Sequence, residues 1–82
     1  MRIQVLGSGC ATCKKLFEIT QKAVLGLDAS VEYITGAEGM HKIMELGAMG
    51  SPVLTVDGKI AMVGFTPDVV AIKQAIVTAS HD

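Results

Sequence analysis

Hydrophobic and polar residues alternate in two short stretches of the chain, residues 2 to 6 and residues 31 to 35. Alternation of this kind is typical of a β-strand, and the second stretch is also rich in strand-forming side chains. Two further strands are predicted for residues 53 to 56 and 59 to 63, because Asp57-Gly58 between them is a typical two-residue hairpin turn. The pattern therefore predicts four strands, of which the last two form a hairpin.

Between the first two strands, apolar residues recur at helical spacing. A helix is predicted from about Cys10 to Leu25, and Gly26 offers a stop after it. Its buried face should begin at Cys13, whereas the lysines and Glu18 lie mostly on the other side. The face continues through Leu16, Phe17, Thr20, Ala23 and Val24.

Two more helices are predicted later in the chain. The segment Gly36 to Gly47 has Met40, Ile43 and Met44 on one face, so the two methionines are expected to fill the core. The last helix should start at Thr66-Pro67-Asp68, which offers a hydroxyl cap, a proline in the first turn and an acid near the positive helix end. Its buried stripe is expected to consist of Val69, Ile72, Ile76 and Ala79.

The resulting order of elements is β-α-β-α-β-β-α. The first β-α-β unit predicts parallel strands joined by a right-handed crossover, and the hairpin adds antiparallel strands. We therefore expect an α/β fold in which a four-stranded mixed sheet has helices on both faces. A length of 82 residues, without a linker or repeat, predicts that residues 1–82 form a single domain.

Composition and charge exclude several classes of protein. Half of the residues are hydrophobic and 18% are charged, which is not the composition of a disordered chain. The net charge of −1 offers no basic surface for nucleic acid or for an acidic membrane. The first residues lack the pattern of a signal peptide, and no apolar run reaches the ~18 residues of a membrane helix. The sequence therefore predicts a soluble, cytoplasmic protein that binds neither nucleic acid nor membranes.

The candidate chemistry lies in Cys10-Ala11-Thr12-Cys13, which follows a glycine-containing turn and opens the first helix. The first amide N–H groups of a helix have no intrahelical partner, and the helix dipole places positive potential there. Ala11 and Thr12 lie at this helix tip, and Lys14 adds a positive charge, so the environment favours a thiolate at Cys10. Such cysteines typically have their pKa lowered from ~8.5 to roughly 3.5–7.5. Cys10 is expected to be the exposed, attacking thiol, and Cys13 the inward-facing, resolving thiol.

A thiolate is both a nucleophile and a metal ligand, so the residues alone leave a redox dithiol and a metal-binding pair open. Two thiolates leave a tetrahedral Zn²⁺ site incomplete, and His41 and His81 have no useful spacing to the cysteines. No metal site is therefore expected, although a soft-metal carrier and a redox-sensing adaptor remain alternatives. In a reducing compartment, this cysteine spacing favours catalysis or metal binding over a structural disulfide.

Three segments together resemble the small thioredoxin-like and glutaredoxin-like redox proteins of archaea and bacteria: Cys10 to Cys13, Gly50-Ser51-Pro52 through Lys59, and Gly64-Phe65-Thr66-Pro67. The resemblance implies a thioredoxin fold with strand order 2-1-3-4. It implies a cis Ser51–Pro52 bond that faces the cysteines, with Gly50, Ser51 and Pro52 binding substrate and Gly64 and Phe65 forming one wall of the groove.

The same resemblance implies a thiol–disulfide oxidoreductase that acts on protein or small-molecule disulfides. Its only redox group would be the Cys10–Cys13 disulfide, without a further cofactor. Its electron donor would be of the thioredoxin-reductase type, and the protein would be a monomer. The chain departs from the usual thioredoxin pattern in three places. No Trp precedes Cys10, Ala11-Thr12 replaces the common Gly-Pro, and the first strand carries no buried acid.

Overall fold

The computed structural model describes residues 1–9 and 11–80, and it contains the seven elements in the predicted order. The strands are β1 (Arg2–Leu6), β2 (Ser30–Ile34), β3 (Val53–Val56) and β4 (Lys59–Val63). The helices are α1 (Ala11–Ala23), α2 (Gly36–Glu45) and α3 (Val69–Ser80). The bounds of β1, β3 and β4 are those predicted, whereas α1 and α2 end earlier than the sequence pattern suggested.

The four strands form one mixed sheet in the order β2-β1-β3-β4, which confirms the predicted fold class. Strand β1 runs parallel to β2 and antiparallel to β3, and β3 and β4 form the antiparallel hairpin. The central position of β1 places Val5 between Tyr33 on one side and Leu54 on the other. The loop that leaves the end of β1 therefore lies near the ends of both neighbouring strands.

Successive side chains of a strand point to opposite faces of the sheet, so each face has its own core. Helices α1 and α3 contact each other and cover the larger core, whose fully buried members are Ile3, Val5, Leu16, Leu54, Val56, Ile72 and Ile76. Helix α2 covers a smaller core that consists of Leu6, Ile43 and Val53. Helices thus lie on both faces of the sheet, as predicted. Of the helices that the structure describes, none is long and apolar enough to cross a membrane.

Three predictions about buried side chains were wrong. Met40 is 39% exposed and Met44 is 73% exposed, so neither fills the core. Only Gly39 and Ile43 of α2 are buried, because this short helix contacts the sheet along a narrow line that the methionines flank. Val69 is also exposed, since it is the first residue of α3 and lies beyond the part of the helix that packs on the sheet.

The cap of α3 also differs from the prediction. The hydroxyl of Thr66 accepts a hydrogen bond from the Asp68 amide at 3.3 Å and so precedes the helix. Asp68 is the cap, because its Oδ1 accepts from the amides of Val70 at 3.0 Å and Ala71 at 3.4 Å. Its carbonyl accepts the first helical hydrogen bond, from Ile72 at 3.1 Å.

Replacing Asp68 by alanine should therefore lower the free energy of unfolding by about 0.5–2 kcal/mol, the usual effect of removing a helix cap. Equilibrium unfolding in urea measures this loss. Thr66→Ala is the comparison, and it should cost less because Thr66 contacts no amide within the helix. A greater loss in Thr66→Ala than in Asp68→Ala would contradict this assignment of the cap.

The start of β1 is fixed at the end of the sheet opposite to the loop that follows Leu6. Asp57 and Gly58 both have positive φ, 50° and 86°, as a type I′ hairpin turn requires. The Arg2 amide donates to Asp57 Oδ1 at 2.8 Å, and the Asp57 amide donates to the Arg2 carbonyl at 2.7 Å. Hydrogen bonds from Gln4 and Arg2, together with the Arg2 charge, hold the pKa of the exposed Glu32 below its ordinary value.

Candidate dithiol site

The candidate site lies where β1 ends and α1 begins. Helix α1 starts at Ala11, and its first turn carries no acidic side chain that would oppose a nearby anion. Ala11, Thr12 and Lys14 are exposed on this turn. Cys13 is fully buried on the inner face of the helix, the orientation that the helical spacing predicts. The predicted positions of Cys10 and His81 lie outside the described residues.

Gly7 makes room for the thiol of Cys13. A Cβ at Gly7 would overlap Cys13 Sγ, and it would lie 3.0 Å from Cys13 Cβ and 3.8 Å from Pro52 Cβ. The amide of Gly7 donates to the Ile34 carbonyl at 3.1 Å, which holds this backbone at the end of β2. The lack of a side chain at Gly7 therefore brings Cys13 and Pro52 against the same short piece of backbone.

The predicted substrate-binding residues lie next to this point. The Ser51–Pro52 peptide bond is cis, Pro52 is buried and Ser51 is exposed. The amide of Gly64 donates to the Pro52 carbonyl at 2.8 Å, which joins the Pro52 loop to the end of β4. Gly50 packs near β4 as well, since a Cβ there would lie 3.2 Å from Val63 Cγ1. Phe65 follows Gly64 and is 38% exposed.

Two glycines of the site were not recognised from the sequence. Gly7 belongs to the glycine-containing turn before Cys10, and Gly39 lies inside the predicted second helix, where glycine is unfavourable. In the structure, Gly39 is buried against the backbone of Gly7 and Ile34. The available signal was the position of Gly39 inside a helix, where glycine costs about 1 kcal/mol relative to alanine and often has a packing reason.

The histidine that the structure describes lies away from the cysteine. His41 forms an ion pair with Glu45 at 3.1 Å on the exposed side of α2 when it is protonated. Within residues 1–9 and 11–80, no three His, Cys, Asp or Glu side chains come together as a metal site. The described part of the site therefore offers one buried thiol, that of Cys13, and no cluster of side chains that would hold a metal ion.

A strand–loop–helix unit that carries paired cysteines, faced by a loop with a cis-proline, defines a redox-type thioredoxin fold. The family model for the thioredoxin domain matches residues 1–77. The chain is also 41% identical over 66 residues to a protein named thioredoxin from Methanothermobacter thermautotrophicus, an alignment that covers 78% of this chain and 82% of that protein. No solved structure gave a significant match. The chain therefore belongs to the thioredoxin family.

Proposed function

We propose that this protein is a thiol–disulfide oxidoreductase in which Cys10 attacks the substrate and Cys13 resolves the intermediate. Membership of the thioredoxin family supports oxidoreductase chemistry in general. The observation that carries the specific proposal is the placement of the Cys13 thiol, which is buried at the start of α1 against Gly7, and Gly7 also lies near Pro52. A thiol in this place is protected from bulk reagents and can act only on a group held beside it.

The proposed reaction has two steps. In the first, the Cys10 thiolate attacks one sulfur of the substrate disulfide, so that a mixed disulfide forms and one substrate sulfur leaves as a thiolate. In the second, Cys13 loses its proton to water and attacks the sulfur of Cys10. The mixed disulfide breaks, the second substrate thiolate leaves, and both take up protons from water. The substrate gains two electrons, and the chain is left with a Cys10–Cys13 disulfide.

The substrate would bind over the Pro52 loop. Ser51 is exposed and Gly50 is half-buried, and we propose that their backbone groups pair with an extended segment of the substrate, with Gly64 and Phe65 as the adjacent wall. Ala11, Thr12 and Lys14 are exposed on the first turn of α1, and we propose that they form the environment of the attacking thiolate. We propose protein or small-molecule disulfides as substrates and a donor of the thioredoxin-reductase type. The dithiol needs no further cofactor in this scheme. We further propose that the protein acts in the cytoplasm as a monomer.

Reduction of insulin disulfides tests this proposal. With dithiothreitol as electron donor, the chain should accelerate precipitation of the insulin B chain above the rate with dithiothreitol alone, because the positive potential at a helix N-terminus favours the reactive thiolate. Turbidity measures the rate, and chain alkylated at both cysteines is the control. Absence of acceleration, with stoichiometric retention of Cu(I) through gel filtration, would contradict the proposal and favour a soft-metal carrier.

A further inference from the structure

Helix α2 approaches the thiol of Cys13 through two glycines, Gly39 within the helix and Gly7 in the loop after β1. A Cβ at Gly39 would stand 2.5 Å from the Ile34 carbonyl oxygen and 3.1 Å from the Gly7 amide nitrogen, and nearer still to the Gly7 carbonyl oxygen. On its other side, Gly7 lies against Cys13 Sγ, where a Cβ would overlap the sulfur. The backbone of Gly7 therefore contacts α2 on one side and the thiol on the other.

A hydrogen bond also connects the position of α2 to Gly7. The Gly7 amide donates to the Ile34 carbonyl at 3.1 Å, and only Thr35 separates Ile34 from the start of α2. Because consecutive Cα atoms are about 3.8 Å apart, this one-residue connection keeps the first turn of α2 close to the Ile34 carbonyl. A change at Gly39 thus reaches Gly7 both by direct contact and through this hydrogen bond.

Helix α2 is not free to move away from the site. Its one fully apolar anchor, Ile43, is 3% exposed and packs with Leu6 and Val53. Leu6 directly precedes Gly7, and Val53 directly follows Pro52. The core under α2 therefore rests on the residues that flank the site, so an added atom at Gly39 must be accommodated there.

We infer that Gly39 is a positioning residue for Cys13. Because Gly39 has no side chain, the backbone of α2 packs directly on Gly7. Gly7 in turn packs on the Cys13 sulfur and so fixes its position for attack on the mixed disulfide. This role rests on the proposed function. Displacement at sulfur needs the attacking atom in line with the breaking bond, so the rate of the second step depends steeply on this placement.

The test compares the two steps in one experiment with the chromogenic aromatic disulfide 5,5′-dithiobis(2-nitrobenzoate). The Cys10 thiolate attacks the reagent, forms a mixed disulfide and releases one thionitrobenzoate anion. Cys13 then gives its proton to water, attacks the Cys10 sulfur and releases a second thionitrobenzoate as the internal disulfide closes. Stopped-flow absorbance follows both releases, and only the first depends on reagent concentration.

In Gly39→Ala the second release should slow about tenfold or more, because a misplacement on the order of 1 Å can cost that much, while the first release keeps its rate. Gly47→Ala is the matched control. Gly47 has a φ of 78° and nothing within 4 Å of a Cβ, so alanine there strains the end of α2 without adding an atom near Gly7. An unchanged second release in Gly39→Ala, or an equal slowing in both variants, would overturn the inference.

A measurement on the unsubstituted chain covers the case in which Gly39→Ala does not fold. Closing the internal disulfide should shift the amide resonance of Gly39 and leave that of Glu45, at the other end of α2, in place. A Gly39 resonance that does not respond while the Cys13 amide does would overturn the inference.

The unsubstituted chain also separates this inference from the proposed function. If it releases no second thionitrobenzoate by internal closure, the two-thiol scheme fails and the role of Gly39 fails with it. If it closes its disulfide, and Gly39→Ala closes at the same rate, only the role of Gly39 is overturned.

Discussion

Replacing Cys13 by serine is expected to stop turnover and leave the chain covalently attached to its disulfide substrate. Serine is nearly the same size and fits the space beside Gly7, but its hydroxyl does not displace a thiolate from a disulfide. Release then depends on an external thiol. Well-oriented internal groups act with effective molarities of roughly 10⁵ M or more, so turnover should fall by at least about a hundredfold. The insulin assay measures the rate, and intact mass spectrometry detects the adduct.

Two further variants make this result specific. Cys10→Ser should form no adduct, because the buried Cys13 does not reach an incoming substrate. Lys22→Ala, at the exposed last turn of α1, should turn over like the unsubstituted chain. A Cys13→Ser chain with full activity and no adduct would show that one thiol suffices, and the two-step scheme would be wrong.

Replacing Ile72 by alanine should remove a large share of the stability of the domain. Ile72 is fully buried in the larger core, and such a truncation typically costs about 2–5 kcal/mol. A chain of this size has a total free energy of unfolding of roughly 4–12 kcal/mol, so the denaturation midpoint should fall strongly. Equilibrium unfolding in guanidinium chloride measures the change. The slope of the unfolding free energy against denaturant concentration is compared between the variant and the unsubstituted chain.

Val70→Ala is the control in the same helix. Val70 is 62% exposed, and surface substitutions usually change stability by about 0.5 kcal/mol or less. Similar losses in both variants would show that α3 is stabilised by its helical propensity and not by the packing of its inner face on the sheet.

The elements of the fold could be predicted because their signals are local. Strand β1 alternates, Asp57-Gly58 has the chemistry of its turn, and the face from Cys13 to Ala23 has the spacing of a helix. The strand order was not derivable in this way. It came from the resemblance to thioredoxin-like proteins, because the pairing of β1 with β3 joins residues that are far apart in sequence.

The wrong predictions concern side chains whose burial depends on contacts between distant parts of the chain. The apolar spacing predicted that Met40 and Met44 are buried. Such spacing shows which side of a helix faces the core, but not how many residues on that side are covered. Gly39 brings the backbone of α2 against the sheet, and only Ile43 beside it needs to be buried. The orientation of Cys13 was predictable from its own helix. Its contact with Gly7, and the nearness of Pro52, depend on three separate segments of the chain.

The central place of β1 has a consequence for how the chain reaches its native state. Strand β1 is synthesised before the other strands of the sheet, but Val5 finds its partner Leu54 only when β3 has been made. Until then the β1–α1–β2 unit carries an open strand edge, and Ile3 and Val5 lack the cover of α3. Such distant pairing slows folding, so the β1–α1–β2 unit keeps an exposed apolar surface until β3 and α3 have been made.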